Sequence, residues 1–141
     1  MDTEHATPPN DLFEAMIKEV AEVECMREAA RVAVAGRTAA RKSLRVGIRE
    51  TDVAGEAEYA MRRAGAEGWV SATYVVSGSR STIAHGPPSL KVIEDGDVVQ
   101  VHVAPIAGGY TVDLCRTLFV GKVAAEAVKA LEATLKRRTQ A

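Results

Sequence analysis

Apolar residues recur at Phe13, Met16, Ile17, Val20 and Val23, the three-to-four-residue interval that builds one face of an α-helix. Asn10 is placed to cap that helix, with Asp11 and Glu14 near the positive end of its dipole. Beyond Met26 the helix becomes rich in alanine, at Ala29, Ala30, Ala33 and Ala35. Two accounts fit these small side chains: strong helix propensity, or a stripe that lets another element approach closely. Gly47 breaks the pattern. Thr51-Asp52 starts a second helix, and Gly65 ends it after Arg62 and Arg63. Residues 69–77 are rich in β-formers and predict a strand. Gly78 to Ser89 predicts a loop carrying His85-Gly86-Pro87-Pro88, and Asp95-Gly96-Asp97 a turn. Strands follow at 98–104 and 109–119. A last helix runs from Ala124 to about Arg138, with Val128, Leu131 and Leu135 on one face. Residues 1–9, polar and ending in Pro8-Pro9, predict a flexible arm ahead of a single domain over 10–141. Helices at both ends and strands between them predict the α+β class.

The stretch from Val98 to Phe119 alternates in a way that separates packing from chemistry. Val99, Val101 and Val103 point to one face, and Gln100 and His102 to the other. In the second strand Tyr110, Val112, Leu114 and Leu118 share a face, with Arg116 as its polar exception. Thr111, Asp113, Cys115 and Thr117 share the opposite face. With Ala107-Gly108 as the two central residues of the hairpin, His102 falls directly opposite Asp113, and Gln100 opposite Cys115. A bulge at Pro105 would shift that register. An imidazole beside a carboxylate can hold a metal ion, or the carboxylate can orient the imidazole as a base. An exposed strand face with an incidental His–Asp contact produces the same pattern. His85 stands apart because neighbouring prolines stiffen the backbone that presents it. Cys115 is expected to pack rather than to act as a nucleophile.

Composition narrows the choices. The net charge is −1, so a basic footprint for nucleic acid or anionic membrane is not expected. No apolar run approaches the ~18 residues needed to span a bilayer. Asp2, Glu4 and His5 do not begin a signal peptide, and a cytoplasmic location is expected. Cys25 and Cys115 lie in unlike contexts and form neither a disulfide framework nor a zinc spacing.

Several segments in order resemble the pita-bread superfamily of creatinase, aminopeptidase P and methionine aminopeptidase. Ile17-Lys18-Glu19 through Glu24-Cys25-Met26-Arg27-Glu28-Ala29-Ala30 is similar to that family's opening helix. Gly47 through Thr51-Asp52-Val53-Ala54, then Glu58-Tyr59-Ala60-Met61-Arg62-Arg63-Ala64-Gly65-Ala66, resembles its second helix. Ser77-Gly78-Ser79-Arg80-Ser81 resembles its substrate-side loop, and His85-Gly86 sits where its active-site histidine is expected. Glu94-Asp95-Gly96-Asp97, Gly109-Tyr110, Asp113-Leu114 and Arg116-Thr117 complete the likeness over about residues 17–122. The resemblance implies the N-terminal half of a pita-bread domain: two helices, a three-stranded, mainly antiparallel sheet and a C-terminal helix.

It also implies a site, with departures. The family's metalloenzymes hold two metal ions through two aspartates on this hairpin, then a histidine and two glutamates from the second half. Here His102 occupies the first aspartate position and Asp113 the second. The other three ligands are expected to have no counterpart before Ala141. Creatinase-like members lack metal and use a histidine at the position of His85 for proton transfer. The expected candidates are therefore His85 as acid/base or third ligand, and His102 and Asp113 as ligands to one divalent ion; zinc, iron and manganese all suit such donors. Arg116 would steady the hairpin or an anionic substrate. A half-fold invites a second copy about a two-fold axis. A homodimeric enzyme acting on a C–N or C–O bond of a small molecule is one expectation. A non-catalytic peptide- or ligand-binding module, or one subunit of a heterodimer, are the others.

Overall fold

The computed structural model describes residues 17–138. The expected arm, the Asn10 cap and the apolar positions Phe13 and Met16 lie outside them. Ile17, Lys18 and Glu19 are not helical, so the described helix does not continue back through the apolar position at Ile17. Helix α1 spans Val20–Ser43. Its start is set by a reciprocal cap: the Glu19 side chain accepts from the backbone of Glu22, and the Glu19 N–H donates to Glu22 Oε2 at 2.8 Å.

Helix α2 spans Glu50–Arg63. Gly65 ends it as expected, at φ 105°. Its N–H donates to the Arg62 carbonyl, and that of Ala66 to the Met61 carbonyl at 2.9 Å, which is a Schellman ending. The alanine-rich side of α1 packs against this helix. Ala29, Val32, Ala33, Gly36 and Ala40 are buried, as are Val53, Ala54, Ala57 and Met61 on the facing side. A Cβ on Gly36 would stand 2.4 Å from Met61 Cγ and 3.2 Å from the Ala57 carbonyl oxygen. Close approach is therefore a role of the small stripe.

The expected strands are all present; those over 69–77 and 109–119 are divided, and the one over 98–104 is followed by a further short strand. Strands β1 (Gly68–Trp69) and β2 (Tyr74–Ser77) replace the single strand over 69–77. Strands β3 (Val98–Val103) and β4 (Pro105–Ala107) follow, then β5 (Tyr110–Thr111) and β6 (Leu114–Phe119). They form two antiparallel three-stranded sheets, in the orders β1-β4-β5 and β2-β3-β6. Trp69 faces Pro105 and Tyr74 faces His102, so residues 70–73 are matched by 103 and 104 alone. That surplus is a bulge, which bends the ribbon and separates the sheets.

The hairpin register also corrects the sequence-based one. Ala107 pairs with Tyr110, leaving Gly108 and Gly109 as the central residues at φ 59° and 73°. Two positive φ values are what a type I′ turn demands. Glu67 holds this turn, accepting from the N–H groups of Gly108 and Gly109. His102 consequently pairs with Cys115, and Gln100 with Thr117. The faces nonetheless fall as the alternation predicts. Val75, Val99, Val101 and Val103 point into the core beside the two helices.

Helix α3 spans Ala125–Arg138. It lies beside the outer side of β6, where a shallow cleft is lined by Val98, Thr117 and Phe119 of the sheet and by Leu131 of the helix. Val128 and Leu131 are half-buried there, whereas Leu135 is exposed. Among the described residues no helix is long and apolar enough to cross a membrane.

Candidate functional site

Four elements meet at one cavity of about 270 Å³ on the outer face of the β2-β3-β6 sheet. Strand β2 contributes Tyr74 and Val76, β3 contributes Gln100 and His102, and the β5–β6 junction contributes Asp113 and Cys115. The loop after β2 contributes His85 and Gly86. The three residues expected to carry chemistry, His85, His102 and Asp113, are thus brought together.

The His102–Asp113 contact arises on a diagonal. With Cys115 directly opposite His102, Asp113 lies two positions along on the same face, still within reach of a long side chain. Asp113 Oδ1 comes to 2.7 Å from His102 Nε2. Nε2 therefore has the Asp113 carboxylate beside it, whereas Nδ1 is buried without a hydrogen-bond partner among the described residues. Buried polar atoms normally find partners; an imidazole beside a carboxylate and facing a cavity has the chemistry of a nitrogen and oxygen donor pair. His102 is 8% exposed overall, whereas the Asp113 side chain is 72% exposed. One partner is fixed by the sheet and the other is free to meet a ligand.

Tyr74, which the sequence reading did not single out for the site, fixes the imidazoles. Its ring stacks on His102 at 5.0 Å between centroids and meets His85 edge-on at 5.6 Å. The two histidine rings stand perpendicular, 6.3 Å apart. Alternation from Tyr74 to Val76 was the available signal, because these positions share the outer face with His102 and Gln100. His85 has φ 57°, a left-handed conformation that non-glycine residues adopt only at some cost. Gly86 follows it, packed so tightly that a Cβ would stand 2.8 Å from Val76 Cγ1.

Cys115 lines the cavity but is poorly suited to nucleophilic work. Burial pushes its thiol pKa up, as does the Asp113 charge, against an opposing effect of Arg116. Arg116 donates to the Cys115 carbonyl at 2.6 Å, which steadies the strand.

A second feature lies behind the cavity. Glu50, the first residue of α2, is fully buried. Its Oε1 accepts from Ser77 N and Oγ, both at 2.8 Å. Its Oε2 accepts from Ser89 N at 3.0 Å, Ser89 Oγ at 2.7 Å and Arg80 Nε at 3.2 Å. Burial raises its pKa most strongly, but the hydrogen bonds from Ser89 and Ser77 together outweigh it and leave the pKa lowered. In the sequence Glu50 reads as an ordinary acidic residue at a helix start; nothing in local periodicity marks a buried one.

A family model described as metallopeptidase family M24 matches residues 24–141. The chain is 37% identical to a Xaa-Pro dipeptidase of Pyrococcus furiosus over 106 residues, which are 75% of this chain and 30% of that protein. It is 46% identical over 52 residues to a methionine aminopeptidase of Treponema pallidum, covering 37% of this chain and 20% of that one. Among solved structures, the prolidase of Pyrococcus horikoshii OT3 superposes with a TM-score of 0.86 at 31% identity, over 93% of this chain and 38% of that chain. The matches cover between 20% and 38% of the length of these relatives.

Proposed function

This chain belongs to metallopeptidase family M24, corresponds to the N-terminal half of a pita-bread domain, and from that premise we propose that it supplies part of a hydrolytic site for the C–N bond of a small amide substrate. The relatives' names, Xaa-Pro dipeptidase and methionine aminopeptidase, both denote enzymes that cleave such bonds. The observation that carries the reading is the convergence of His85, His102 and Asp113 on one cavity, with His102 Nε2 2.7 Å from the Asp113 carboxylate.

His102 and Asp113 fit a divalent ion as a nitrogen and oxygen donor pair. Such an ion, when bound, supplies Lewis acidity and an activated water. Among the described residues no three His, Cys, Asp or Glu side chains are placed to hold it together, so two ligands here call for others from a second surface. A second copy of the chain about a two-fold axis would bring another His85, His102 and Asp113 to the cleft. Within one copy, Tyr74 holds the imidazoles in place. His85 at the exposed loop is the group that would exchange a proton with the leaving nitrogen. Val76, Ile83 and Gly86 form an apolar wall against which a small substrate would lie. The short donor set also favours a second reading, a ligand-binding module without catalysis.

Native mass spectrometry on protein purified without a metal-affinity tag tests this. A dimer carrying stoichiometric zinc, iron or manganese is expected, with metal lost in both His102→Ala and Asp113→Ala. Unchanged metal content in both variants would exclude the assigned ligands. A metal-free dimer would favour proton-transfer chemistry at His85 or the binding module. A metal-free monomer would point to a separate protein as the source of the missing half.

A further inference from the structure

We infer that Glu50 is a positioning residue for His85: buried in the core, it gathers both ends of the histidine-bearing loop onto one carboxylate and so fixes the shape of the cavity. The inference deepens the reading above and rests on it for its functional meaning, though its test does not.

The five donors to Glu50 come from three residues, Ser77, Arg80 and Ser89. All three belong to the loop that carries His85 or stand at its ends. Ser77 closes β2 at one end and Ser89 stands at the other. Arg80 adds a cross-brace, because its Nη2 donates to the Pro87 carbonyl at 2.8 Å while its Nε reaches Glu50. His85 therefore sits in a segment tied on both sides to the same side chain. An apolar residue would anchor α2 without the desolvation that a buried carboxylate imposes. A charge at this place gains its compensation by ordering the loop.

The conformation of His85 calls for such ordering. A non-glycine residue in left-handed backbone persists only where its surroundings over-determine it. On the cavity side Gly86 is pinned against Val76 and Ile83. On the core side the restraint comes from Glu50 and Arg80. His102 is held differently, by its own strand pairing and by Tyr74, so Glu50 and the His102 position are separable.

That separation gives the experiment. The chain has three histidines, so its imidazole NMR spectrum is simple, and His85→Gln assigns one signal. Contact between the His85 and Tyr74 rings reports the loop; contact between His102 and Tyr74 reports the sheet. The measurements are made on the full, metal-free chain. Glu50→Gln, which places an amide N–H₂ before donors, is expected to abolish the His85–Tyr74 cross-peaks and keep those of His102–Tyr74. Arg80→Ala leaves four donors on Glu50 and is expected to weaken the same cross-peaks; if Glu50→Gln does not fold, this variant decides alone. Retention of the His85–Tyr74 contact in the folded variants would overturn the inference. Joint loss of both contacts would also overturn it, because Glu50 would then stabilise the whole domain without selective effect. Selective loss in a chain that binds no metal would keep the positioning role while the metal-site reading fails.

Discussion

At Glu50 a carboxylate with no solvent exposure is kept ionised by neighbours that the chain supplies from 27 to 39 residues away. Removing it strands the buried Ser77 donors and the half-buried ones of Ser89 and Arg80. One unsatisfied buried group costs about 1–3 kcal/mol, and breaking a buried charged set about 3–5 kcal/mol. Glu50→Ala is therefore expected to lower the unfolding free energy by about 3–5 kcal/mol in a urea titration. The same residue gives the fold an acid limit. Its folded pKa lies below its usual 4.5, so protonation favours the unfolded chain. Its contribution is complete above that value and is lost as pH falls through the lower folded pKa. Stability measured from pH 6 downward should decline more steeply for the native chain than for Glu50→Gln. At this scale the sequence revealed the residues on the cavity face but not those behind it. Alternation placed His102 and Asp113 on one side, whereas Glu50 and Tyr74 acquire their roles only from partners brought in by the fold.

Among elements, the α1–α2 contact has the least room to give. Alanine at Gly36 gains about 1 kcal/mol of helix propensity, but its Cβ meets Met61 and the Ala57 backbone. Overpacking of this kind costs about 1–3 kcal/mol. Gly36→Ala should therefore lower the melting temperature, while alanine at the exposed Gly55 of α2, which meets no atom within 4 Å, should raise it. The order of elements was legible because each keeps a clean period. The hairpin register was not, because Ala107-Gly108 and Gly108-Gly109 both offer a turn, and only the second lets both central residues take positive φ as glycines. The division of 69–77 was also hidden. Val70, Ser71, Ala72 and Thr73 continue the β-forming composition, and their bulge is imposed by the opposing pair 103–104.

For the whole molecule, helices α1 and α2 cover one side of the β2-β3-β6 sheet, and the cavity opens on the other, where α3 also lies. Strand β6 ends that sheet with one edge unpaired among the described residues. Because β6 also contributes Cys115 to the cavity, whatever pairs with that edge would stand near the site. The Glu50 knot runs the other way, from the core outward, and it bears on how the cavity loop is held. Ser77 and Ser89 are joined through Glu50 of α2, so the cavity loop is held by long-range contacts rather than by local structure. Its opening is expected to require the docking of α2 on β2 to fail. The amide of Ser89, in a segment with neither helix nor strand, should accordingly exchange its hydrogen as slowly as the amides of β3. Fast exchange at Ser89 would mean that the loop opens on its own, independently of the core beneath it.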